Sequence, residues 1–109
     1  NGGHLHRDWT YIDDVVDGFI SALDKGFAWE IFNLGYGRPV ENIEFVQILE
    51  SLLGKKAHIL DTPVPLSEPL ITFADTTKAQ RMLGYEPKTD VEHGLNNFIQ
   101  WLRAEKLLD

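Results

Sequence analysis

The eight residues RDWTYIDD, Arg7 to Asp14, hold the most concentrated chemistry in the chain. An arginine opens them, an aromatic and β-branched run follows, and two adjacent aspartates close them. A guanidinium at the entry of an ordered segment, with Trp9 and Tyr11 packed beside it, offers a planar fork of donors that suits two parallel bonds to a phosphate or carboxylate. The residues alone leave its partner open between a bound anion and one of the seventeen acidic side chains of the chain itself. Asp13, Asp14 and Asp17 resemble a metal patch on paper. A helix N-terminus stabilised by negative charge against its macrodipole, with Asp13 as the cap, accounts for them without a metal.

Other chemistry-bearing residues are weaker signals. The GYG of Gly35 to Gly37 stands between a predicted strand and a predicted helix, where a dinucleotide-binding turn would sit. The third glycine of G-x-G-x-x-G falls on Val40, however, so the stretch reads as a turn. None of Tyr11, Tyr36 and Tyr85 has a lysine four residues later. His4 and His6 lack a clear third ligand and read as solvated side chains, while His58 and His93 stand alone.

The elements that must position these residues are marked by regular punctuation. The chain has 109 residues, 43% of them hydrophobic, enough for one domain or part of one. Val16, Phe19, Ile20 and Leu23 recur at helical spacing up to Gly26. WEIFNL, residues 29–34, reads as a buried strand bounded by Gly26 and Gly35, so that RDWTYI and WEIFNL are strand on either side of a helix. From Glu41 a second helical stripe, Phe45, Val46, Leu49, Leu52 and Leu53, ends at Gly54. AHIL, residues 57–60, reads as a short strand, and DTPVPLSEPLI, with three prolines, as an extended loop. Asp75 or Thr76 caps a short third helix that ends at Gly84. Thr89 and Glu92 form a capping box for a long last helix along Val91, Leu95, Phe98 and Leu102. The fold class expected is mixed α/β, with about four helices and short strands.

Charge and composition exclude some partners. A formal charge of −7 argues against nucleic acid and anionic membrane surfaces, so an anionic ligand must be held locally. The absence of cysteine excludes disulfides and thiolate metal sites and fits a cytoplasmic protein. There is no basic-then-apolar leader and no apolar run of membrane-spanning length. The chain begins at Asn1 rather than a methionine, and a piece of a longer protein is expected.

Three blocks, RDWTYIDDVVDGFISALDK, EIFNLGYGRPVENIEFVQILESLLGKKA and TFADTTKAQRMLGYEPKTDVEHGLNNFIQWLR, together resemble the C-terminal region of extended short-chain dehydrogenase/reductases. Among these, the nucleotide-sugar epimerases are the nearest match, the glucuronate 4-epimerase type above all. The family pattern runs RD[FYW]TY[IV]DD, then [IY]xN[IL]G, then ADxxKAxxxLGYxPxTxxxxGLxxFxxW, and the blocks keep that order over nearly the whole chain. The resemblance implies that residues 1–109 are a substrate-binding region whose NAD-binding domain, with the glycine-rich turn and the catalytic Tyr-x-x-x-Lys pair, is absent. It implies that Arg7 contacts the diphosphate of a sugar nucleotide. It also implies a nucleotide-holding Gly-Asp in the loop before the T-x-A-D block, where this chain has Ser67 and Glu68. Glu68 is thus the expected acceptor for a ribose hydroxyl. The parent would be an NAD-dependent epimerase acting through a keto intermediate, with a 4,6-dehydratase, a decarboxylase or a non-catalytic protein-interaction domain as alternatives. The chain alone is expected to have no turnover and no affinity for NAD, and to self-associate where the missing domain leaves apolar surface bare.

Overall fold

The computed structural model describes residues 2–108. After one 3-10 turn at Gly2–His4, the elements run β1 (His6–Arg7), α1 (Ile12–Lys25), β2 (Val40–Glu41), α2 (Asn42–Leu53), α3 (Thr77–Leu83) and α4 (Val91–Ala104). The two strands are antiparallel, with His6 opposite Glu41 and Arg7 opposite Val40. A single parallel bridge joins His6 to Ile71. The helices pack in two pairs, α1 with α3 and α2 with α4.

All four helices form where apolar spacing predicts them, and α2 and α3 start as expected, after Glu41 and Thr76, but the starts of α1 and α4 differ from expectation. The cap of α1 is Tyr11, which gives no side-chain bond; Asp13 and Asp14 lie inside the first turn. The cap of α4 is Asp90 rather than Thr89, and its carboxylate accepts from the His93 amide at 2.9 Å. A charged acceptor next to exposed helix amides outcompetes the hydroxyl one residue earlier. The same carboxylate meets the His93 ring at 2.7 Å. The amide bond, and then the ring contact, hold the Asp90 carboxyl below its ordinary range, and the ring contact with Asp90 raises the pKa of the imidazole. At the far end of α2, Gly54 takes φ +64° and stops the helix as expected.

Two predicted strands are absent, for related reasons. Of the first extended run, RDWTYI, only Arg7 enters a ladder, together with His6 before it, and residues 29–34 enter none. These residues still alternate as a strand would: Trp29 and Ile31 project outward while Phe32 and Leu34 pack on the buried cluster of Ala79, Leu83 and Tyr85. The in-and-out geometry is there, and the hydrogen-bonding neighbour is not. AHIL forms no strand either; Ala57 donates its amide to the Glu50 side chain at 2.8 Å, and Ile59 and Leu60 are exposed.

The molecule is a slab measuring 48 × 40 × 17 Å, with a radius of gyration of 16.6 Å against about 13 Å for a compact chain of this length. Little more than one layer of helices fits in that thickness, so most apolar stripes have only one side to bury. On α1 the buried face is made by Asp14 and Gly18, and the apolar stripe Ile12, Val16, Phe19, Ile20 and Leu23 faces outward. Beside it Trp29 is 79% exposed.

Gly18 shows how tight the buried face is. A methyl group there would lie 2.8 Å from a Leu34 methyl and 2.9 Å from the Tyr85 ring. In an open helix, glycine to alanine gains about 1 kcal/mol of helix propensity. Here overpacking costs about 1–3 kcal/mol and reverses the sign. Urea denaturation of Gly18→Ala should therefore show a net loss of stability, and a stabilised variant would mean that Leu34 and Tyr85 yield freely.

Candidate anion-binding site

Successive residues of an extended chain point to opposite sides. At the end of β1 this divides one dipeptide between two jobs. Arg7 turns toward the proline-rich loop: Nη1 donates to the carbonyls of His6 at 2.7 Å and Pro69 at 3.0 Å, and Nη2 pairs with Glu68 Oε1. Asp8 turns the other way. Its Oδ1 accepts from the amides of Tyr36 at 3.0 Å and Gly37 at 3.1 Å, and its Oδ2 from those of Gly37 at 3.0 Å and Ala74 at 2.9 Å. Thr10 completes the knot, its hydroxyl donating to the Asp8 carbonyl at 3.2 Å and accepting from the Tyr36 amide at 3.3 Å.

The GYG turn is therefore a nest of backbone donors, and the anion it holds is a side chain of the protein. Gly35 is required at its mouth, because a methyl group there would lie 2.5 Å from both Asp8 Oδ2 and the Ala74 methyl. Sequence reading passed over Asp8 in favour of Arg7. The available signal was an aspartate at the end of a strand, upstream of a turn rich in unpaired amides.

A second buried carboxylate repeats the device. Asp14, 5% exposed, accepts from the amides of Lys88 at 3.0 Å and Thr89 at 2.9 Å, which ties α1 to the entry of α4. Asp14 keeps its expected place in the first turn of α1 and gains this second, buried role, while Asp13 and Asp17 are exposed. Between the two carboxylates, the Tyr85 hydroxyl donates to the Gly35 carbonyl at 2.9 Å. Burial, and then the negative charges of Asp14 and Asp8, raise its pKa and keep the donor protonated.

The aromatic residues of the opening run fasten to helices rather than to Arg7. Trp9 stacks on Phe45 of α2 with ring centres 4.0 Å apart, and Tyr11 packs on Gly94 of α4. His4 and His6 each lie 3.7 Å from a Glu41 oxygen. Among the described residues, no group of three or more His, Cys, Asp or Glu side chains could hold a metal ion, and no helix is long and apolar enough to cross a membrane. Both sequence-predicted site residues, Arg7 and Glu68, come together as one pair.

No family model matches the chain. Individual relatives do. A UDP-glucuronate 4-epimerase of Thermodesulfobacterium geofontis is 40% identical over 91% of the chain and 31% of its own length. The structure of a UDP-glucose 4-epimerase with UDP-glucose from Thermotoga maritima superposes with a TM-score of 0.85 at 31% identity, covering 97% of this chain and 34% of that one. That of a UDP-glucuronic acid 4-epimerase mutant from Bacillus cereus, in complex with a fluorinated UDP-glucuronic acid and NAD, gives 0.79 at 32% identity over 92% and 33%. The chain belongs to the nucleotide-sugar epimerase/dehydratase family of extended short-chain dehydrogenase/reductases. It spans about a third of the length of these relatives and matches the C-terminal part of the family. The four helices and two short strands are this Rossmann-type family's C-terminal architecture, which accords with the mixed α/β class expected from the sequence.

Within this epimerase-family chain the Asp8 knot joins three segments far apart in sequence, so its loss should be felt globally. In Asp8→Asn an amide NH2 replaces one acceptor oxygen and leaves backbone donors unmatched. Each such group costs about 1–3 kcal/mol. Denaturant unfolding should show a loss of about 2 kcal/mol or more, with the Tyr36, Gly37 and Ala74 amides exchanging faster; unchanged stability would mean that the knot contributes nothing.

Proposed function

We propose that this chain is the substrate-binding part of an NAD-dependent nucleotide-sugar epimerase that acts on a UDP-sugar through a keto intermediate. In this reading Arg7 grips the diphosphate and Glu68 accepts a ribose hydroxyl. The observation that carries it is the setting of Arg7. Two main-chain carbonyls fix one arm of the guanidinium, and the other arm is held only by a side chain on an exposed loop. An arginine with its position fixed and its charge replaceably paired suits an incoming anion. In support, the chain superposes along 97% of its length on an epimerase described with UDP-glucose.

NAD is assigned to the remainder of the whole protein, where it would supply hydride removal and return. The amides of the GYG turn already serve Asp8, and a dinucleotide phosphate would have to compete with that carboxylate. The residues of this chain bind and orient the nucleotide. The uncovered stripe of α1 and the unpaired extended run 29–34 are the surfaces we assign to contact with that remainder, the run adding a strand to its sheet and the stripe covering the sheet's face.

Calorimetry with UDP on the intact protein tests the assignment of Arg7. Arg7→Ala should lose about 2 kcal/mol or more of binding free energy, and Arg7→Lys should also bind more weakly, because a point charge lacks the planar fork. Equal affinity for wild type and Arg7→Ala would return the residue to a purely internal ion pair.

A further inference from the structure

The reading of Arg7 as a diphosphate grip leaves its present partner to be explained. Nη2 is occupied by the Glu68 carboxylate, so an anion reaching the guanidinium meets a position already filled by an anion. Glu68 lies in the loop 61–70, exposed along nearly all its length, beside a tight turn in which its own amide donates to the Pro65 carbonyl at 3.0 Å. The far end of that loop is stitched to β1: the His6 amide donates to the Leu70 carbonyl at 2.9 Å and the Thr72 amide to the His6 carbonyl at 3.2 Å. The loop thus has an anchored end and an exposed body, and Arg7 clips the body to β1.

The two halves of the clip differ in kind. Nη1 is bound to carbonyls, neutral acceptors of which one belongs to β1 itself, and these can stay in place when the charge partner changes. Nη2 is bound to a carboxylate whose side chain is 43% exposed against 22% for the arginine. Water reaches the acid more easily than the base, so release of Glu68 leaves a solvated carboxylate and a guanidinium still oriented by its two carbonyls.

We propose that Glu68 is an internal competitor for the ligand: its carboxylate holds the site of the nucleotide's diphosphate on Arg7 until a diphosphate displaces it. This inference rests on the reading of Arg7 given above. A single carboxylate sets a threshold. A diphosphate, with more negative charge and more acceptor oxygens, exceeds it, and a singly charged ligand does not. Release also frees the Glu68 side chain, while Pro69 stays bound to Nη1, and hands the carboxylate to a new donor, for which the ribose hydroxyl is the candidate named above. Glu68 is therefore a specificity-determining residue through what it withholds as well as what it accepts.

Inorganic pyrophosphate is the direct probe, since it carries the diphosphate and no ribose. In the intact protein, Glu68→Gln keeps the side chain's size and removes its charge. Calorimetric affinity for pyrophosphate should rise about five-fold, the equivalent of a partly exposed ion pair. The gain should vanish when the same change is made in an Arg7→Ala background. A rise that persists in the Arg7→Ala background would reflect general charge reduction and overturn the inference, as would unchanged or weaker binding in Glu68→Gln while Arg7→Ala still weakens it. Pyrophosphate affinity indifferent to Arg7→Ala alone would instead remove the diphosphate grip itself, and the competitor role with it.

Discussion

The placement of a single carboxylate governs much of this structure. Asp8 leaves β1 pointing away from Arg7 and gathers the amides of Tyr36, Gly37 and Ala74. These amides belong to irregular segments with no ladder of their own, and a buried or half-buried amide needs an acceptor. One ionised side chain supplies it for both segments. Tyr85, donating to Gly35 from the buried cluster, connects the knot to Ala79 and Leu83, and Asp14 extends the same solution to the start of α4. In a slab too thin to enclose a large core, polar knots of this kind do work that apolar burial does in thicker domains.

Because neighbouring side chains of an extended segment diverge, fixing Asp8 also fixes the direction of Arg7. The guanidinium is then steadied by the His6 and Pro69 carbonyls on the opposite side. Anion recognition needs such preorganisation, since a long flexible cation loses affinity in the entropy of being held still. The position of the Arg-Asp pair is thus one arrangement with two outputs, an internal anion site built on backbone amides and an external one built on a guanidinium. The external site faces a loop whose own acid, Glu68, occupies it in this state of the chain.

The helices were legible in the sequence because apolar spacing is a local property. Val16, Phe19, Ile20 and Leu23 announce α1 wherever the stripe ends up pointing, and Gly26, Gly54 and Gly84 end helices at the positions expected. The strands were not, because a ladder needs a partner. Residues 29–34 carry the alternation of a strand and the composition of a buried one, yet find no neighbour among the described residues. Arg7 stood out by residue type, which left its partner undecided, and Glu68 was legible only through resemblance to the epimerases; the structure shows the two side chains paired with each other. Asp8 was missed because its role depends on amides 28, 29 and 66 residues away, which no local pattern brings together.

The account stands on the claim that Arg7, aimed by the Asp8 knot, is where a nucleotide's diphosphate is held. A crystal structure of the intact protein with UDP bound tests this most directly. The account predicts a phosphate oxygen within hydrogen-bond distance of Arg7 Nη2, Glu68 withdrawn from it, and Asp8 still accepting from Tyr36, Gly37 and Ala74. A diphosphate bound elsewhere, with Arg7 still paired to Glu68, would contradict it.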